Sequence, residues 1–408
     1  MENEVSGQMQ LQCGSIIAIS GIPVPMNTVS DIIEWLASDY SHDLDMAGLL
    51  EGLGSRLTKA GIPLDRLVLH LLTIDPEFIA RVIAWAPGEP VGTVTRLHGY
   101  NESAFGHKNP VRYALDAGTW LKIRSDQPDT GRWPLHDVYE GRGLVERIFV
   151  PLLSRSTPVG VVSFSTCRQN GFAAEHLALL RRIESAFRNV AELKALQELS
   201  TNLLDTYIGT ETGRRVRAGR IRRGDVETIK AALMICDLRD FTELSNRLPS
   251  DRVLYLLNSY FDQIVPAIKE NNGEVLKFVG DAVLAFFHIS DDPARNCLAA
   301  LQAARSALVR MGELSEPDAE LSTGVALHYG AVSYGNIGSG HRLDFTVIGR
   351  DVNLTSRIQA VCGLTGKPLL MSERFASLLP SMHIRSVGWH DLKGFVEKFE
   401  LFTLTTLS

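Results

Sequence analysis

Cysteine is scarce. Five residues, Cys13, Cys167, Cys236, Cys297 and Cys362, are scattered over 408 positions with no CxxC pair and no disulfide-like spacing. That excludes a disulfide scaffold and a zinc ribbon and leads to the expectation of a reducing, cytoplasmic setting. Long apolar runs are also missing. Stretches such as Leu67 to Leu72 fall far short of the roughly 20 residues a spanning helix needs, and the first residues lack the basic flank and apolar core of an export signal, so no membrane span is expected. An excess of positive charge is absent as well: the net charge is −6. No nucleic-acid partner is therefore expected. The histidines, His98, His107 and His136 among them, show no metal-ligand spacing, and Trp85, Trp120 and Trp133 are ascribed to core. What remains is an ordinary globular composition, 45% hydrophobic and 22% charged, at a length that suits two or three domains.

The most informative stretch is Glu274 to Phe287, EVLKFVGDAVLAFF. Its β-forming residues flank Gly280-Asp281, which predicts two short strands and a tight turn with Asp281 at the sheet edge. A second carboxylate, Asp237, ends the apolar strand in ALMICDLRDFT, ahead of a helix start at Thr242 and Glu243. Two aspartates at neighbouring strand tips suit a hard divalent cation, and so sparse a pair suits one held together with a nucleotide's phosphates. Taken singly, each aspartate could equally be a turn or helix cap.

Six segments occur in order: DLRDFT, LNSYFDQIV, GEVLKFVGDAVLAFF, GVALHYGAVSYGNIGS, DFTVIGRDVNLTSRI and LKGF. Together they resemble the catalytic domain of class III nucleotidyl cyclases over Glu227 to Leu404. The resemblance implies an α+β, ferredoxin-like βαββαβ palm-type domain over 227–408. It implies adenylate cyclase chemistry, ATP to 3′,5′-cyclic AMP and pyrophosphate, with two Mg²⁺ (or Mn²⁺) per site held by Asp237 and Asp281. It implies backbone amides of Phe241 and Thr242 on the phosphates, Asn353 on the ribose, Arg357 on the transition state and Lys393 on the terminal phosphates. It further implies a homodimer whose active sites are shared across the interface. Lys277 and Thr346 would read adenine, a donor for N1 and an acceptor for the 6-amino group, and the Thr form resembles the class IIIb-like subgroup. Two departures stand out: Asp240 where the family usually has Gly, and Ala331 where some members place an Arg. Guanylate cyclase, or a catalytically silent nucleotide or ligand sensor, are the rival readings.

Upstream, residues 1–27 read as a tail. Helical spacing at Val29, Ile32, Ile33 and Leu36 recurs at Leu49, Leu50, Leu53 and Leu57. Two strands lie over LDRLVLHLLTID and FIARVIAWAP, a loop-heavy stretch runs from Gly88 to Arg132, and a second hairpin covers GLVERIFVPLLS and TPVGVVSFSTC. A long helix from Ala173 to about 208 closes the region. This order resembles an α/β GAF-like sensory domain over 28–190, which implies an unidentified small-molecule regulator. The helix carries Ile183, Phe187, Val190, Leu193, Leu196, Leu199, Leu203 and Tyr207 at three- and four-residue steps. That is either a dimer seam, the preferred reading, or a packed face. Six arginines between Arg214 and Arg223 make 209–226 a basic segment. It is read as a transducing linker, with a solvated connector or an anionic contact as alternatives.

Overall fold

The computed structural model describes residues 26–98, 109–126, 143–154, 157–288, 291–314, 316, 321–380 and 384–405. The expected tail over 1–25 and His107, Trp133 and His136 lie outside them. Two compact units are present, Met1–Leu203 and Leu204–Ser408, so the basic segment falls within the second.

In the first unit, α1 (Met26–Leu36), α2 (Asp39–Asp43) and α3 (Met46–Lys59) precede β1 (Arg66–Leu72) and β2 (Phe78–Trp85). The stretch read as loop-heavy contains β3 (Gly92–Leu97), α4 (Pro110–Ala117) and β4 (Leu121–Arg124). Its Gly and Pro residues serve as punctuation; Pro110 opens α4 behind the Asn109 cap and Gly118 ends it at φ 62. The second hairpin, β5 (Glu146–Ser154) and β6 (Thr157–Thr166), leads into α5 (Ala174–Ile208). The strands form an antiparallel sheet in the order β3-β2-β1-β6-β5-β4. One face carries α1, α3 and α5 on a core that includes Leu36, Leu53, Leu69, Ile148, Phe164 and Phe187. The other carries α4 through Ala114, Ile123, Phe149 and Val161.

The seam reading of α5 is corrected at its first three positions. Ile183, Phe187 and Val190 are buried in the core of their own unit, because the helix lays that stripe on its own sheet. Leu193 and Leu196 remain exposed, at 42% and 54%.

The second unit begins with α6 (Thr210–Arg217), followed by β7 (Val226–Leu238), α7 (Phe241–Arg247), α8 (Ser250–Glu270), β8 (Glu274–Val279), β9 (Ala282–Phe287) and α9 (Pro293–Glu313). Next come β10 (Thr323–Gly338), β11 (Leu343–Ile348), α10 (Arg350–Thr365), β12 (Leu369–Ser372), α11 (Glu373–Ala376), β13 (Ile384–Asp391) and β14 (Lys398–Leu404). The expected βαββαβ core is β7, α8, β8, β9, α9, β10. The glycine in the middle of GVALHYGAVSYGNIGS, Gly330, predicts a break between two strands, 321–329 and 331–337. One continuous strand occupies both, since Gly330 and Ala331 stay paired with Ala231 and Lys230 of β7. Sheet order is β13-β14-β12-β10-β7-β9-β8, with β11 also on β10 and the β10–β12 pair parallel.

The sheet's alternation sorts its two faces. Ala232, Met234 and Cys236 turn to the α8/α9 core with Tyr260, Ile264, Ala300 and Ala304. Ile229, Ala231 and Leu233 turn the other way, toward Tyr334 and Val347. Ala326 and Leu370 on that second face receive Leu354 and Ile358 of α10. The basic segment is not a solvated tether. Glu274 accepts from the backbone N–H groups of Glu211 (3.0 Å) and Thr212 (3.2 Å), and Thr212 Oγ1 lies 3.1 Å from Tyr334 Oη. Arg214, Arg215 and Arg217 pair with Glu211, Glu227 and Asp205, so much of the positive run is neutralised within the unit.

Candidate active site

Strand register brings the two aspartates together. β7 pairs with β9 through Cys236 and Val283, so the next position along, Asp237, stands at the mouth of the Gly280-Asp281 turn. Val279 pairs with Ala282, which leaves a two-residue hairpin loop. Gly280 has φ 65, whereas Asp281 is not among the positive-φ residues. That is the II′ pattern, which demands Gly at the first loop position. The turn therefore holds the Asp281 carboxylate at a defined point on the sheet edge.

A cleft of about 670 Å³ opens there, lined by Asp237, Asp240, Phe241, Thr242, Glu243, Asn246 and Asp281. Asp237 is about half buried, and its Oδ1 is shut off from solvent with no hydrogen-bond donor. Its carboxyl is pushed up to about 7, first by burial and then by its hydrogen bond to Asp281 and that group's charge; Gln359 and the Leu238 backbone pull the other way. Two crowded carboxylates with an orphaned oxygen fit a hard divalent cation, which would remove both the repulsion and the missing partner. Among the described residues no cluster of three or more His, Cys, Asp or Glu side chains gathers to cage a metal.

The backbone amides of Phe241 and Thr242 begin α7 at this cleft, and Asp240 caps the helix in the left-handed region at φ 56. Among the described residues Asp240 is one of two non-glycine residues there. A position where Gly would be strain-free thus adds a further carboxylate to a cleft lining that already holds Asp237, Glu243 and Asp281.

The remaining candidates do not line this cleft. Lys277 Nζ lies 2.7 Å from Asp344 Oδ2. Asp344 and Thr346 are two apart on β11 and so share a face, which places Lys277 and Thr346 at one locus. Thr346 is 5% exposed, and its hydroxyl has no partner. Asn353 and Arg357 lie on the exposed side of α10, opposite the buried Leu354 and Ile358. Lys393 is exposed after β13. Within one chain the constellation is therefore split. Asp344 was missed in the sequence, although its two-residue spacing from Thr346 marks it. Asn246 and Glu243 were missed too, because only the path of α7 brings them to the cleft.

Residues 226–406 match the family described as adenylate and guanylate cyclase catalytic domain. That segment forms a cyclase catalytic domain of mixed α/β fold. Over 164 residues the chain is 32% identical to an adenylate cyclase of Anabaena cylindrica, covering 38% of this chain and 31% of that protein. Over 189 residues it is 28% identical to the terminal-differentiation specific adenylate cyclase of Dictyostelium discoideum, covering 44% of this chain and 9% of that protein. The chain thus spans less than a third of either relative. Among solved structures, a bacterial light-regulated adenylyl cyclase aligns at 24% identity with a TM-score of 0.47, covering 53% of this chain and 63% of that one. Among the described residues no helix is long and apolar enough to cross a membrane.

Proposed function

We propose that the 226–406 domain is an adenylate cyclase, class IIIb-like, that works as a homodimer with shared sites and is regulated by the first unit as a GAF-like sensory domain. The observation that carries this reading is the Asp237–Asp281 pair at the cleft, with its orphaned oxygen. Mg²⁺ or Mn²⁺, two per site, would be held by these carboxylates and supply charge to the attacking and leaving oxygens. The ribose 3′-hydroxyl gives up its proton to solvent water, its oxygen bonds to the α-phosphorus, and the bond to the bridging oxygen breaks to release pyrophosphate. The amides of Phe241 and Thr242 hold the phosphates. Asn353 orients the ribose, and Arg357 meets the charge that builds on the α-phosphate. Lys393 binds the terminal phosphates.

Exposure of Asn353, Arg357 and Lys393 away from the aspartate cleft supports a composite site, because one chain supplies the metal pair and another the donors. Lys277 as donor and the unpartnered Thr346 hydroxyl as acceptor support adenine. One observation favours guanine instead: Asp344, beside Lys277, offers the acidic acceptor that guanine's N1 and N2 would use.

Initial rates of the full chain with ATP and with GTP test the reading. ATP should be preferred strongly, since mispaired buried polar groups discriminate well. Mixing inactive Asp281→Ala with inactive Arg357→Ala should restore cyclic AMP formation through the one intact site of each mixed dimer. Equal kcat/KM for the two nucleotides overturns the adenine assignment, and mixed dimers that form but stay inactive overturn the shared site.

A further inference from the structure

On the α10 face of the sheet, away from the aspartate cleft, two buried polar side chains and a partly buried carboxylate lie in a line. His328 stands two residues beyond Ala326, which packs on α10. β10 and β12 pair in parallel through Ala326–Leu370 and Leu327–Met371, and the next pair in that register is His328 and Ser372. His328 Nδ1 lies 2.7 Å from Ser372 Oγ, and Nε2 lies 3.4 Å from Asp351 Oδ1 in the first turn of α10. His328 is 2% and Ser372 4% exposed. Ser372 Oγ also accepts the Phe375 N–H at 3.2 Å. The Ser372 hydroxyl donates to Nδ1 and so leaves the ring proton on Nε2, which faces Asp351 at close range without meeting hydrogen-bond geometry.

The other Asp351 oxygen is equally committed. Oδ2 accepts the Ala331 N–H at 2.8 Å and lies 3.7 Å from the Arg374 guanidinium. A Cβ on Gly330 would sit 2.1 Å from that oxygen, so Gly330 is the residue that leaves the carboxylate its seat. Asp351 is held below the usual carboxylate range, by His328 first. None of these groups has a part in the chemistry described above. The apolar contacts of Leu354 and Ile358 hold α10 on the sheet but tolerate sliding and rotation, whereas the Ala331–Asp351 and Ser372–His328 hydrogen bonds, with the His328–Asp351 approach between them, are directional. Asn353 and Arg357 follow Asp351 on the same helix by two and six residues.

We propose that His328, with Ser372 and Asp351, is a positioning relay that fixes the start of α10, and through it the places of Asn353 and Arg357. The inference rests on the cyclase reading. Misplacement of about 1 Å can cost on the order of a hundredfold in positioned chemistry.

The test uses the full chain. Wild-type rates are measured first, then Asp351→Asn, which turns an amide toward the Ala331 N–H, His328→Gln, and Gly330→Ala. Each should lower kcat by roughly tenfold or more with KM for ATP within about twofold, the mark of lost transition-state interaction. Amide exchange over residues 350–357 should rise in all three variants. Should Gly330→Ala or His328→Gln fail to fold, Asp351→Asn, nearly isosteric, carries the test. Unchanged kcat in folded Asp351→Asn overturns the relay. If the wild type forms no cyclic nucleotide, the cyclase reading falls by itself. Amide exchange then decides the relay alone, and unchanged exchange over 350–357 refutes it.

Discussion

Asp237 carries the heaviest electrostatic load of any residue in the cleft, and its titration yields a prediction with a definite sign. Its folded pKa is raised to about 7 from an ordinary 3.8. Between those values the unfolded chain has already lost the proton that the folded chain keeps, so stability falls as pH rises through the window and the penalty is complete above about 7. Asp237→Asn should therefore raise the Tm of the metal-free protein at pH 8, leave it nearly unchanged at pH 4, and abolish cyclic nucleotide formation. Adding Mg²⁺ should stabilise only the wild type, since only it binds the ion well. Thermal melts at the two pH values, with and without metal, check all three. Asp240 is the second residue-scale case. Its left-handed backbone costs about 1 kcal/mol for a residue with a Cβ, and its charge repels phosphate. Asp240→Gly should gain up to about that much stability and lower KM for the metal–ATP complex; Asp240→Ala should lower KM too, but without the gain in stability. Urea melts and steady-state kinetics separate the two effects.

Among the elements, α6 departs furthest from its sequence reading. Charge density marks its arginines as solvated or as a linker, yet the helix is bound to β8 and β10 of its own unit. Its start has no side-chain cap of its own; Glu274 supplies one from β8. Burial raises the Glu274 pKa despite those amides. Glu274→Ala should lose about 1–2 kcal/mol, the range of a lost cap, and speed amide exchange over 210–217. Glu274→Gln should stay close to wild type, because an amide oxygen can accept the same two bonds. If Gln destabilises as much as Ala, the carboxylate's charge holds the helix and the capping account is wrong.

For the whole molecule the prediction concerns control. α5 runs from Ala174 to Ile208, through the division of the units at Leu203 and Leu204. A catalytic site shared between two chains responds to small changes in how they face each other, and a coupling of about 1–3 kcal/mol shifts such an equilibrium five- to 150-fold. Inserting two residues near Leu203 turns the helix by roughly 200° and should alter basal activity and any response. Inserting seven should disturb both far less, because seven nearly restore the face. Unchanged rates with both insertions make the helix a passive tether.

Local pattern determined much of this protein from sequence alone. Alternation and a Gly-Asp turn marked the β8–β9 hairpin, and an apolar strand ending in charge marked Asp237. Helical spacing marked α1 and α3, and ordered motifs marked the cyclase segment. These features lie within a few residues of one another, where covalent geometry and side-chain chemistry decide the outcome. Tertiary structure alone decided the rest. It joined 321–329 and 331–337 into one strand, because pairing with β7 overrides the Gly330 interruption. It turned Ile183, Phe187 and Val190 into their own unit's core rather than a seam, because periodicity does not say which surface a stripe will meet. It set Asp344 beside Lys277, Glu274 beneath α6, and His328 between Ser372 and Asp351. Each of those contacts joins residues far apart in the chain, and which distant groups meet is determined by sheet order and register.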